Sequence, residues 1–175
     1  MPKMELDLDP VTHITTDAIG QPGSRVFYIQ GIQGDQVITL LVEKAQILSL
    51  SAGIVQFFAE INAQYPDLSD ANAGFEEDSM RIEPPVDPLF RVGELGLGYE
   101  AERDLMVLLA REILLENQEP EDASVVRFWC TRQQISAFGR WAQKMVSQGR
   151  PICPQCGEPM APEGHFCPKK NGHKH

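Results

Sequence analysis

Val42-Glu43-Lys44-Ala45-Gln46-Ile47 and Cys130-Thr131-Arg132-Gln133-Gln134-Ile135 are one kind of junction met twice, 88 residues apart. In each, an apolar run gives way to a basic residue, then Gln-Ile, and the period of the apolar positions changes. After the first junction Ile47, Leu50, Ile54, Phe57 and Ile61 recur at intervals of three and four, which is one face of a helix. That helix runs from 44 to about 64 and ends at Tyr65-Pro66, because a proline disfavours helical backbone in the residue before it. Moved by 88, the stripe falls on Ile135, Phe138, Ala142 and Met145, so a second helix begins near Thr131.

Upstream of each helix the apolar pattern is that of strands. Residues 10–19, 25–30 and 36–42 are rich in β-branched and aromatic types and are separated by turn signals. Residues 89–99, 105 to about 115 and 123–130 repeat the arrangement before the second helix. Each half is three strands feeding one helix, and the pair is read as an internal duplication of a βββα unit, spanning about 10–64 and 88–148. Short connections make neighbouring strands antiparallel. The expectation is an α+β body over 1–148, with a mostly antiparallel sheet, two helices on its faces and a pseudo-two-fold axis.

Between the units, residues 65–88 carry Asp67, Asp70, Glu76, Glu77, Asp78, Glu83 and Asp87 against Arg81, with Pro66, Pro84, Pro85 and Pro88. Such composition reads as an acidic, solvated and mobile linker; the sharper alternative is a lid over a site. Gly93, Gly96 and Gly98 do not form a dinucleotide loop, because a further strand follows them and that loop requires a helix. Gly20-Gln21-Pro22-Gly23-Ser24-Arg25 is read as a hairpin connection, with an anion-cradling nest backed by Arg25 as the alternative.

The C-terminal stretch 149–175 follows different chemistry. Cys153-Pro154-Gln155-Cys156-Gly157 is a metal knuckle, in which the tight turn aims backbone N–H groups at the sulfurs. Cys167 adds a third thiolate. The fourth ligand is a histidine, and His165, directly after Gly164, is favoured over His173 in the polar end of the chain. Three thiolates and one imidazole describe a closed, structural Zn²⁺ site with no open position for catalysis. Ile152, Met160 and Phe166 are too few apolar side chains to offset an ordering cost of about 1–2 kcal/mol per residue. Metal binding worth on the order of 10 kcal/mol would do so.

The chain of 175 residues has a net charge of −10, divided as −12 over 1–148 and +2 over 149–175. Arg150, Lys169, Lys170 and Lys174 are a thin set of cations beside an acidic body, which argues against nucleic acid as a partner. No run approaches 18 apolar residues, so no membrane span is expected. Residues 1–10 are acidic without an apolar run, which points away from a signal peptide and toward a reducing cytoplasm.

No serine elbow, phosphate loop or paired-acid signature is present. Cys130, after Trp129 at a strand end, reads as a small buried hydrophobe rather than a nucleophile, and His13 has no recognisable partner. The two junctions do place Lys44 and Arg132 at equivalent helix starts. With Arg25 they would line a pocket for an anionic ligand, the plainer account being salt bridges at the helix starts. The expectation is a non-enzymatic binding or adaptor protein with a protein partner. The alternatives are an enzyme or ligand-binding protein for a small anionic metabolite at the junction of the units, and a nucleic-acid binder acting through the zinc tail.

Gly20-Gln21-Pro22-Gly23-Ser24-Arg25 before an aromatic strand, the 42–46 junction, Phe90-Arg91-Val92-Gly93 and the closing Cys-Pro-x-Cys-Gly…Gly-His-x-Cys-Pro…Asn171-Gly172 occur together. In that combination the chain resembles an uncharacterised bacterial family, the domain-of-unknown-function family numbered 3090, almost end to end. The resemblance implies a cytoplasmic protein with a zinc-ribbon-like tail. It carries over no catalytic residue, because the family has no assigned activity.

Overall fold

A computed structural model describes residues 3–21 and 23–148. The strands are β1 (Glu5–Leu8), β2 (His13–Ile19), β3 (Val26–Gln33), β4 (Gln36–Val42), β5 (Val92–Glu100), β6 (Leu105–Glu112) and β7 (Val125–Cys130). The helices are α1 (Lys44–Gln64) and α2 (Arg132–Gln148). Two βββα runs are therefore present in the element order, and the class is α+β. Both runs are antiparallel meanders, β2-β3-β4 and β5-β6-β7, as short connections require. The 20–25 stretch is the hairpin connection between Ile19 and its partner Val26.

The sheets are mixed rather than simply antiparallel, because each unit starts inside the other unit's sheet. Residues 5–8 lie parallel to β7, from Glu5 opposite Val125 to Leu8 opposite Phe128. Val11 N–H still donates to Trp129 O (2.8 Å), and then Thr12 N–H donates to Ile32 O (2.7 Å), so the same stretch leaves β7 and joins β3. The second unit mirrors this. Leu89 N–H donates to Thr39 O (2.8 Å) and Leu41 N–H to Phe90 O (3.0 Å), a parallel contact with β4. Ile113 N–H then donates to Arg91 O (2.8 Å), which carries the strand over to β6. Among the described residues the hydrogen-bonded order runs 4–19, β3, β4, 89–100, β6, β7 and back to 4–19, closing on itself. The links are short, so the chain still forms two sheets, β1-β7-β6-β5 and β2-β3-β4, joined at two corners.

β1 had no counterpart in the strand pattern read from sequence. The alternation Met4-Glu5-Leu6-Asp7-Leu8-Asp9 does have the period of a strand, but three carboxylates and the lack of any β-branched or aromatic residue mask it. Leu8, Ile14, Ile29, Leu40, Met106, Leu108 and Phe128 form the strand-borne core, all essentially inaccessible to solvent. Gly31 is there for space: a Cβ on it would stand 2.4 Å from the Phe128 ring.

The helical stripes are buried as their periodicity requires, with Ile47, Leu50, Ile54 and Ile61 on α1 and Ile135, Phe138, Ala142 and Met145 on α2; Phe57 is half-buried. Trp141 donates from Nε1 to Thr16 O, which seats α2 on β2. The two helices also touch each other at Ile54 and Gly139, where an added Cβ would meet Ile54 Cγ2 at 3.2 Å.

The acidic connection 65–88 is anchored along much of its length. Ala71 and Met80 are buried, and Thr15 Oγ1 donates to Met80 O (2.6 Å). Ile82 N–H donates to Asp17 Oδ2 (3.2 Å), and the Gln30 side-chain amide exchanges two bonds with the Glu83 backbone (2.8 and 3.0 Å). Proline and carboxylates make the stretch look solvated, and its acidic side chains do face outward. Its backbone, however, is held by polar side chains that β2 and β3 bury beneath it. No helix among the described residues is long and apolar enough to cross a membrane.

Candidate functional site

Of the three cations grouped from sequence, the structure assigns two to separate tasks. Arg25 donates from Nη1 to Met145 O and from Nη2 to Val146 O (both 3.1 Å), satisfying carbonyls that the last turn of α2 leaves open. Desolvation there pushes its pKa below the usual arginine range, an effect Asp17 partly opposes. Arg132 sits at the opposite end of α2, in its first turn, about 20 Å away at 1.5 Å of rise per residue. Lys44 is the first residue of α1. The three do not converge, and none of them lines either cavity described below.

Arg132 is 3 % exposed and holds Asp104 in a bidentate pair, Nε to Oδ1 at 2.7 Å and Nη2 to Oδ2 at 3.0 Å. Its Nη1 also donates to Ser69 O (2.7 Å), pinning the connection that follows α1. The Arg132 guanidinium draws the Asp104 carboxyl below its ordinary range, and the Tyr99 hydroxyl assists by donating to Oδ1 (2.8 Å). Asp104 in turn raises the Arg132 pKa. At the other junction Glu43, at the start of α1, pairs with Arg91. Salt bridges at the helix starts are thus what the two junctions contain.

Cys130 is fully buried, its thiol donating to Phe128 O (3.4 Å), and desolvation pushes its pKa up; a thiolate nucleophile is disfavoured there. Among the described residues no cluster of His, Cys, Asp and Glu could hold a metal ion. Cys153, Cys156, Cys167, His165 and His173, the residues expected to hold zinc, lie outside the described residues.

A cavity of ≈ 500 Å³ opens where α1, α2 and residues 66–72 meet, within the size range of small-molecule sites. Ile54, Val55 and Phe58 on α1, with Leu68 and Ala71 opposite, make its apolar wall. Asn62, Asn72, Ser136 and Gln143 bring amides and a hydroxyl, and Asp70 and Arg140 bring one charge of each sign. The cavity exists because Gly139 lets the helices meet closely at one point while the connection bridges them further along. That connection is fixed by Arg132 through Ser69 and by Ala73 N–H donating to Ser136 Oγ (3.3 Å). Arg132 is therefore a positioning residue for one cavity wall, not a ligand contact. Arg140 carried no signal in sequence, because an exposed helical arginine looks the same with or without a partner.

A second groove, of ≈ 460 Å³, lies between the first half of α1 and β5. Gly53 on its wall stands 88 residues before Trp141. Trp141 fills the α2–β2 contact, whereas a Cβ on Gly53 would find nothing within 4 Å.

No curated protein and no solved structure matches this chain. One family does, over residues 6–167, which take in both units and all three tail cysteines. On that match the chain belongs to the family described as Protein of unknown function (DUF3090).

Proposed function

We propose that this chain is a non-enzymatic binding protein whose small-molecule site is the cavity between α1, α2 and residues 66–72. One observation carries this: a roomy cavity at the meeting of the two units is lined about equally by apolar side chains and by charged, amide and hydroxyl groups. The neighbouring ionic groups support binding over catalysis, since Arg132, Asp104 and Arg25 are occupied in holding the fold. Backbone amide spectra of the full chain, recorded against a library of small metabolite-like compounds, test it. Shifts that cluster at Val55, Asn62, Asn72 and Gln143, and vanish in Asn62→Trp, are expected. Shifts that map elsewhere, or that persist in Asn62→Trp, would overturn it.

Docking of a protein partner is a second reading, favoured by the surface of α1. From Ala45 to Ala59 that helix carries no charge, and Leu48 and Val55 are 45 % and 62 % exposed. Leu48→Lys would then abolish capture of the partner in cross-linking from cells, without changing the small-molecule shifts. We further propose that Cys153, Cys156, Cys167 and His165, with His173 as the alternative fourth ligand, hold one structural Zn²⁺, and that the two βββα units share an ancestor. The donor chemistry and spacing support the zinc site. The duplication is supported by Gln46 and Gln134, each of which accepts from the backbone N–H three residues before it and donates to a carbonyl of the other unit.

A further inference from the structure

We infer that the cavity selects a zwitterion: a ligand with an ammonium and a carboxylate set around an apolar body, of amino-acid or dipeptide size. This rests on the binding role proposed above for the same cavity. Arg140, on the α2 wall, makes no hydrogen bond, ion pair or ring contact among the described residues. Other cations near it are engaged: Lys144 with Glu77, Arg132 with Asp104, Arg81 with Asp17. Asp70, on the wall formed by residues 66–72, accepts one hydrogen bond, from Asn72 N–H to Oδ1 (2.9 Å). It is attracted at longer range by Arg132, which is already paired with Asp104, and among the described residues no donor reaches its Oδ2. The two charges do not pair with each other within the 4.0 Å of an ion pair.

A simple anion on Arg140 would leave Asp70 facing like charge, and a simple cation on Asp70 would face Arg140. A molecule with both charges answers both walls, and Ile54, Phe58 and Leu68 supply contact for the apolar part between them. Long-range electrostatics act in the same direction. Residues 1–148 carry a net charge of −12, a field that repels a free anion and acts on a neutral zwitterion only through its dipole, a weaker and shorter-ranged force. The cavity volume, ≈ 500 Å³, is generous for one amino acid and suits two apolar side chains.

Titration calorimetry of the full chain with the dipeptide Leu-Phe, its N-acetyl form and its C-terminal amide tests the inference. Leu-Phe is expected to bind, and each blocked form to bind about three- to fivefold more weakly, the loss expected for one exposed charge-assisted contact. Asp70→Asn should remove the discrimination against the N-acetyl form, and Arg140→Gln that against the amide. Both positions are exposed, so thermal melts of these variants should overlay the parent. Binding of all three compounds within about twofold of one another, or no binding of Leu-Phe at millimolar concentration, would overturn it. Asn62→Trp separates this failure from failure of the cavity itself. Equal binding that Asn62→Trp abolishes leaves the cavity standing without charge selection, whereas binding indifferent to Asn62→Trp removes both.

Discussion

Gln46 and Gln134, each the third residue of its helix, make the same pair of bonds, and each reaches across into the opposite unit. Gln46 Oε1 accepts from Glu43 N–H (2.8 Å) while its Nε2 donates to Val92 O (3.0 Å) at the start of β5. Gln134 Oε1 accepts from Thr131 N–H (2.8 Å) while its Nε2 donates to Val11 O (3.3 Å) just before β2. One amide thus closes a capping box and clamps the strand that crosses between sheets.

Removing either clamp should be costly and asymmetric in chemistry. Gln46→Ala and Gln134→Ala are each expected to lower unfolding free energy by about 1–2 kcal/mol, the range for a lost cap with a lost partner. Gln→Glu keeps the acceptor and loses the donor, so it should cost less. Urea denaturation of the four variants measures this; a Gln46→Ala midpoint equal to the parent's would remove the clamp from the account.

Two helical glycines should respond in opposite ways. Gly53→Ala adds a methyl into open space within a helix and is expected to stabilise by about 0.5–1 kcal/mol. Gly139→Ala puts the same methyl 3.2 Å from buried Ile54 and should leave stability at or below the parent's. Melting temperatures rank the two, and a Gly139→Ala gain matching that of Gly53→Ala would mean the helix crossing is looser than described.

Gly31→Ala should be among the most damaging small changes, because the Phe128 ring stands 2.4 Å from the new Cβ and is itself enclosed. Overpacking of this kind costs about 1–3 kcal/mol. Phe128→Leu made together with it should recover part of the loss, giving a coupling term in a double-mutant cycle. Strict additivity of the two substitutions would contradict the contact.

Acid should weaken the hold on the cavity wall. The Asp104 carboxyl lies below its ordinary value of 3.8 because Arg132 bonds its charged form. A carboxyl depressed in the folded state contributes stability above its unfolded pKa and loses it as pH falls through the folded one. The parent is therefore expected to lose stability as pH drops through and below the usual carboxylate range, with Asp104→Asn, lower at neutral pH, showing a shallower fall. Parallel acid curves for the two proteins would leave the Arg132–Asp104 pair without a role in acid stability.

One zinc ion per chain is expected in purified, tag-free protein, bound by the tail thiolates. Cys153→Ser should lower the metal content well below stoichiometry. Chelation should leave the 3–148 body melting as before, since its core contains none of these residues. Elemental analysis with a thermal melt tests both halves; stoichiometric zinc in Cys153→Ser would remove the site.

The helices and both meanders were legible because their signals are short-range. Ile47 to Ile61 and Ile135 to Met145 declare a 3.6-residue period within a few turns, and Tyr65-Pro66 ends the first helix locally. The amides of Gln46 and Gln134 were visible as matching letters, though not as clamps. The cavity was hardly legible. Asp70 stood out only as part of an acid-rich run, and Arg140 gave no signal.

By itself the sequence determined which stretches are strand and helix, β1 excepted, that they come in two βββα runs, and that the C-terminal cysteines have metal-ligand spacing. The tertiary structure alone decided that each unit's first strand begins in the other's sheet and that Arg25 and Arg132 serve opposite ends of one helix. It also set α1, α2 and residues 66–72 around a common cavity. The physical reason is range: periodicity and capping act over a turn or a pleat. The bonds of Val11 to Trp129 and of Arg25 to Met145 join residues more than a hundred positions apart, through contacts that exist only once the whole chain has closed.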